Sequence, residues 1–176
     1  LLFFFAFSLA KSQVVINEYS AANYDSFQDN YGEYEDWVEF YNASGTPIDL
    51  NGYYLSDKST NLTKWQFPSS FIVPAGNAVI VYCSGRDEIV GTNAHTNFKL
   101  TQTKGNEGIY LSDASGLVVI DSLSLNPNQK GDSRGRTTNG VNTWSVFQTP
   151  TPGNNNVGAM ADYTSTPVFS QPAGYY

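Results

Sequence analysis

Between Asp36 and Gly85 apolar and polar residues alternate with a period of two, and each run stops at turn residues. Asp36-Trp37-Val38-Glu39-Phe40-Tyr41-Asn42 opens the stretch. Trp65-Gln66-Phe67-Pro68, Val73-Pro74-Ala75-Gly76 and Val79-Ile80-Val81-Tyr82-Cys83-Ser84-Gly85 close it. In an extended chain successive side chains point to opposite faces, so each run acquires one dry face and one wet face. An amphipathic helix would instead repeat its apolar positions every three or four residues, and no segment carries such a stripe for more than two turns. The chain is therefore expected to be all-β.

Short strands are expected near 14–19, 36–41, 52–56, 64–67, 71–73, 77–83, 96–101, 107–112, 117–123 and 143–147. Ser44-Gly45-Thr46-Pro47, Pro74-Ala75-Gly76-Asn77, Gly105-Asn106, Ser115-Gly116 and Asn139-Gly140 separate them. Strands this short and this regularly punctuated imply a sandwich or barrel. Within 36–41, Val38 and Phe40 share the expected core face. Trp37, Glu39 and Tyr41 share the other, with Trp37 expected to cover the sandwich edge. Asp36 and Glu39 fall on opposite faces, which makes them poor partners in acid–base chemistry.

Composition supports this reading and removes several functions. Apolar residues make up 40% and aromatics 15%, with 12 tyrosines suited to half-wet strands. A length of 176 residues suits one domain with appendages. The net charge of -7 argues against nucleic acid as a partner, because phosphate binding needs clustered Lys and Arg. The single cysteine, Cys83, allows no intrachain disulfide and is expected to be a buried thiol. Zinc spacings, phosphate loops and dinucleotide fingerprints are absent from the sequence. Ser84-Gly85 lacks a nucleophile-elbow context, and the one histidine, His95, has no motif around it, so no catalytic residue is expected.

The ends have their own character. Leu1 to Ala10 is apolar and too short to cross a bilayer, which takes about 20 residues. It suits the apolar part of a secretory signal with cleavage before Gln13. The expected organisation is a signal remnant over 1–12, a β-sandwich domain over 13–156, a linker over 157–165 and the start of a second β-domain over 166–176. Export, to the cell surface or the medium, follows from the first of these, and no membrane span is expected in the mature chain.

Three groups of residues are candidates for binding. From Glu18 to Asp57 there are nine carboxylates and no Lys or Arg. Asp25, Asp29, Asn30, Glu33, Glu35 and Asp36 form its oxygen-rich centre, a candidate Ca²⁺ site because hard cations take six to eight oxygens. The spacing is not that of an EF-hand, and the competing expectation is a solvated acidic loop. Trp37, Tyr53, Tyr54 and Trp65 are candidates for stacking on sugar rings, and the competing expectation is that they cover the sandwich. Arg134 and Arg136, near Lys130, form the one basic cluster and could seat an acidic partner, pair with the acidic loop in a rim salt bridge, or lie in a solvated hairpin.

The order Val14-Val15-Ile16-Asn17-Glu18, then Asp36 to Asn42, then Ile48-Asp49-Leu50-Asn51-Gly52-Tyr53-Tyr54-Leu55-Ser56-Asp57 resembles the lamin tail domain family. The likeness continues through Trp65 to Pro68, Val73 to Gly76, Ile109-Tyr110-Leu111-Ser112-Asp113 and Ile120-Asp121-Ser122, and covers roughly Val14 to Leu125. Asp132-Ser133-Arg134-Gly135-Arg136, Trp144 and Thr151-Pro152-Gly153 resemble the way bacterial members finish. The resemblance implies an immunoglobulin-like antiparallel β-sandwich without catalysis of its own. It implies an accessory module of an exported bacterial multidomain protein, engaged in binding, targeting or domain spacing. Two alternatives are the front module of a secreted hydrolase or CotH-kinase-type enzyme and a carbohydrate-binding module. The implied partners are another protein, a surface glycan or downstream domains of the same polypeptide.

Overall fold

The structure is a computed structural model and describes residues 13–164. The segments expected to be a signal remnant (1–12) and the start of a second domain (166–176) lie outside the described residues. Thirteen strands and no helix are present among the described residues.

A seven-stranded sheet takes the order β13-β12-β1-β2-β7-β9-β8, with ranges Trp144–Phe147, Ser133–Arg136, Val14–Ser20, Trp37–Asn42, Ala78–Tyr82, Asn93–His95 and Glu88–Val90. A four-stranded sheet takes the order β11-β10-β4-β5, with ranges Val119–Ser124, Gly108–Ser112, Tyr54–Ser56 and Trp65–Gln66. A small ladder pairs β3 (Ile48–Asp49) with β6 (Ile72–Val73). Every pairing is antiparallel except β7 with β9, which run parallel.

The core lies between the two larger sheets. Ile16, Val38, Phe40 and Val81 project from one, and Leu55, Trp65, Ile109 and Leu111 from the other; all eight are buried. Val38 and Phe40 face inward as the alternation requires. Trp65 and Phe67 meet with ring centroids 4.7 Å apart, and Phe67 stacks on Phe71 at 5.4 Å, so this end of the core is closed by aromatic contacts. Cys83 is fully buried, as expected.

Most expected strands form, but four observed ones fall outside the expected spans: β3, β8, β9 and β12. The run 96–101 is not a strand. Thr96 Oγ1 donates to the carbonyl of Phe98 at 2.6 Å and folds the backbone locally, which competes with a ladder. Phe98 and Leu100 nevertheless keep their alternating burial in an irregular segment. Pro74-Ala75-Gly76-Asn77 turns as read: Asn77 N–H bonds the Pro74 carbonyl at 3.1 Å, and Gly76 supplies φ = 65°.

One irregularity shapes the outer face of the large sheet. Ile16 pairs with Phe40 but Glu18 with Glu39, so Asn17 is an extra residue in β1. The bulge shifts the phase of the strand. Val14 and Ile16 point into the core before it, and Tyr19 and Ala21 after it. Asn17 and Glu18 both remain on the outer face, where Glu39 also lies.

Candidate functional site

The outer face of β1 and β2 is covered by the strap 149–156. Thr151 donates from its backbone N–H (2.9 Å) and its hydroxyl (2.6 Å) to Glu18, and Gly153 N–H donates to Glu39 at 2.6 Å. Gly153 has φ = 74°, a left-handed backbone that a side chain would strain. Asn156 reaches under the strap and donates to the carbonyl of Arg136 at 2.6 Å. Ser133 and Asn17 complete the set, donating to Glu18 at 2.5 Å and to Glu39 at 2.7 Å. Glu18 and Glu39 are fully buried. Burial raises the pKa of both from the ordinary carboxylate value, that of Glu39 to about 8, with the nearby Glu18 charge adding to the rise. This pair was not expected from the sequence. Its signal was the polar doublet Asn17-Glu18, which breaks the alternation of β1.

The acidic loop is tightly organised. Asp29 Oδ1 accepts from the N–H groups of Tyr31 (2.8 Å) and Glu33 (2.9 Å), making Asp29 the internal brace of the turn. Asn23 ties the loop base, donating to the carbonyls of Phe27 (2.6 Å) and Glu35 (2.8 Å). Asp36 accepts from Asn23 N–H at 3.2 Å, and burial pushes its pKa up to about 6.

The six candidate calcium ligands are not gathered as one metal site: Asp29, Glu33 and Glu35 converge on a cation already in place, and the others pair elsewhere. Arg86 stands among them, 2.6 Å from Glu33 and 3.5 Å from both Asp29 and Glu35, with its guanidinium over the Tyr31 ring at 4.6 Å. Lys99 also pairs with Glu35 at 2.8 Å, Lys130 pairs with Asp25 at 2.7 Å, and Asn30 meets His95 at 2.7 Å. Among the described residues no group of three or more His, Cys, Asp or Glu side chains is arranged to hold a metal ion. The local sequence contains no cation, yet the fold brings three to the loop from residues 86, 99 and 130.

The expected binding surface is corrected in most of its members. Trp37 is fully buried and packs edge-to-face against Phe27 at 6.1 Å. Trp65 is buried in the core, and its indole N–H donates to Asp87 at 2.9 Å. Neither can be a platform for a sugar. Tyr53 is half-buried against the core. Arg136 is buried rather than solvated: it donates to the Ile16 carbonyl (2.7 Å) and Asp121 (2.9 Å) and lies 5.4 Å from the Trp144 ring. Arg134 is half-buried and forms a forked pair with Asp162 at 3.0 and 2.7 Å.

His95 joins Ser84 and Asn30. Ser84 Oγ lies 3.0 Å from Nδ1, and Asn30 Oδ1 lies 2.7 Å from Nε2. With the ring proton on Nε2 facing that oxygen, Nδ1 accepts from the serine. The order of groups resembles a nucleophile, base and orienter. However, Ser84 and His95 are buried and the ring lies against Tyr82 at 5.0 Å, so the chain of hydrogen bonds packs one end of the sheet. Burial holds the imidazole pKa below its ordinary value.

These features define an immunoglobulin-like β-sandwich whose polar groups are largely used in holding it together. The family model of the Lamin Tail Domain matches residues 8–127, and the chain belongs to that family, a class of non-catalytic immunoglobulin-like domains. The match ends before β12 and β13, which complete the large sheet. No curated protein matches the chain.

Proposed function

We propose that this chain is a non-catalytic accessory module of an exported bacterial multidomain protein, serving interaction and the spacing of neighbouring domains. The observation that carries the reading is the closure of the large sheet by the strap 149–156. It turns Glu18, Glu39 and Asn17 into structural groups and leaves loops and sheet edges as the accessible surfaces. The secretion-signal character of Leu1 to Ala10 supports export. The module's partners are then a protein or glycan surface and the domains that adjoin it.

Fusion of residues 1–176 to a reporter enzyme that is active only after export tests the location. Reporter activity that disappears when charged residues replace Phe3 to Phe5 is the expected result. Activity retained only inside the cell overturns export. A glycan array tests the carbohydrate alternative: binding that survives in folded variants of the surface aromatics would remove those aromatics from it.

A further inference from the structure

The segment after the strap does not leave the sandwich freely. Met160 pairs with Val146 of β13 as an isolated antiparallel bridge, with Met160 N–H on the Val146 carbonyl at 2.9 Å. Ser145 Oγ donates to the Met160 carbonyl. Two residues on, Asp162 receives the forked pair from Arg134. Tyr163 lays its ring 5.1 Å from the same guanidinium, donates its hydroxyl to Asp132 at 2.7 Å and accepts from Gln129 N–H at 2.9 Å.

The seat is held by groups other than its occupant. Arg134 Nε donates to the Pro127 carbonyl at 2.7 Å, which fixes the plane of the guanidinium. The Asp132 carbonyl accepts from Ser20 (2.8 Å) and Asn128 (2.8 Å), and Arg134 stands on β12, paired on both sides. The β13 edge supplies one main-chain bond and a serine hydroxyl, a rigid arginine fork takes a carboxylate, and a tyrosine is gripped at ring and hydroxyl. That is strand addition with side-chain specificity.

We infer that the β12–β13 edge, with Arg134 and Asp132, is a peptide-docking site for an extended acidic–aromatic segment, occupied in cis by Met160–Tyr163. The occupant fixes the direction in which the chain leaves the sandwich as far as Tyr163. Only three residues separate Asn156 from Met160, so the cis segment has a high effective concentration at the site. A free peptide must displace it. The inference stands on these contacts alone and does not depend on export.

The test uses the whole chain with Asp162→Ala and Tyr163→Ala, which removes the side chains that fill the Arg134–Asp132 seat and leaves only the Met160 bridge to hold the segment. The probe is a labelled synthetic peptide of sequence Gly-Ala-Met-Ala-Asp-Tyr-Thr, followed by fluorescence anisotropy. Saturable binding to the double variant is expected, with wild type at least about tenfold weaker because its site is open only a fraction of the time. A peptide with Lys in place of Asp should not bind. Absence of saturable binding, or equal binding of the Lys peptide, overturns the inference. A second measurement guards against misfolding: hydrogen exchange at the Met160 amide should accelerate in Arg134→Glu and recover in Arg134→Glu with Asp162→Arg. Unchanged exchange in Arg134→Glu, with the rest of the spectrum native, also overturns it.

Discussion

Glu18 and Glu39 stand opposite one another across the β1–β2 pair, fully buried, with donors but no cation among their hydrogen-bond partners. Each of their oxygens accepts from Asn17, Ser133, Thr151 or Gly153. Two carboxylates placed so in a dry layer resist holding two charges, because desolvation and mutual repulsion both favour the proton.

Stability should therefore fall as pH rises toward 8, the reverse of ordinary acid denaturation. The folded pKa of Glu39 is about 8 against an ordinary value of 4.5, so in between the folded state holds a proton that the unfolded state has lost. The stabilisation is complete below the unfolded value and is lost as pH rises through the folded one, with a slope of up to about 1.4 kcal/mol per pH unit for one proton. Glu18 acts in the same direction. His95, whose pKa is lowered, acts oppositely around and below the ordinary imidazole value of 6.5. Urea melts between pH 7 and 8, where a histidine in the unfolded chain is mostly neutral, read chiefly the carboxylates. A midpoint that is flat or rises over this window would sink the account.

Thr151→Val should destabilise the strap while leaving its backbone bond intact. The variant removes the hydroxyl that donates to Glu18 Oε2 at 2.6 Å and leaves that buried oxygen without its donor. A cost of about 1–3 kcal/mol is expected for a hydrogen bond to a charged or partly charged group. An unchanged urea midpoint would show that the strap contributes nothing there.

The alternation at 36–41 was enough to place Val38 and Phe40 in the core, but not to show that Trp37, expected at the sandwich edge, is fully buried on the other face. Period-two patterning identifies one face and assumes that the other is wet. The other face of β2 is dry because Phe27 and the strap cover it, and the strap lies more than a hundred residues away in sequence. The same distance hid the role of Arg136, whose partner Ile16 is 120 residues earlier. β12 itself, Ser-Arg-Gly-Arg, carries no apolar residue from which a strand could be read. The acidic loop was legible as composition, yet its cations arrive only through tertiary contact.

Arg86→Ala should lower the melting temperature and open the loop to calcium. In wild type the guanidinium stands within 3.5 Å of Asp29, Glu33 and Glu35, and Asp29 is buried with one oxygen lacking a hydrogen bond. Removing the cation leaves three carboxylates facing one another. Millimolar calcium should leave the wild-type melt unchanged and raise that of the variant, because a ligand of the folded state alone must stabilise it. A calcium-dependent rise in wild type would mean that the acids hold a metal despite Arg86.

Arg136 and Asp121 form a tie between the sheets, and a double-mutant cycle should expose it. Arg136 stands on β12 of the large sheet and Asp121 on β11 of the small one, 2.9 Å apart, with the arginine buried. Asp121 also accepts from Ile16 N–H at 2.8 Å, so the carboxylate serves β1 as well. Arg136→Met should cost about 3–5 kcal/mol, the range for stranding a buried charge, although the partly exposed aspartate places it toward the lower end. Asp121→Asn should cost less, because Arg136 keeps the Ile16 carbonyl at 2.7 Å and Asn142 at 3.1 Å as acceptors. The double variant should be less destabilised than the two single losses added together, since neither charge is left facing a missing partner. Strict additivity in urea denaturation would mean that the pair carries no coupling, and that the sheets are held at this edge by packing alone.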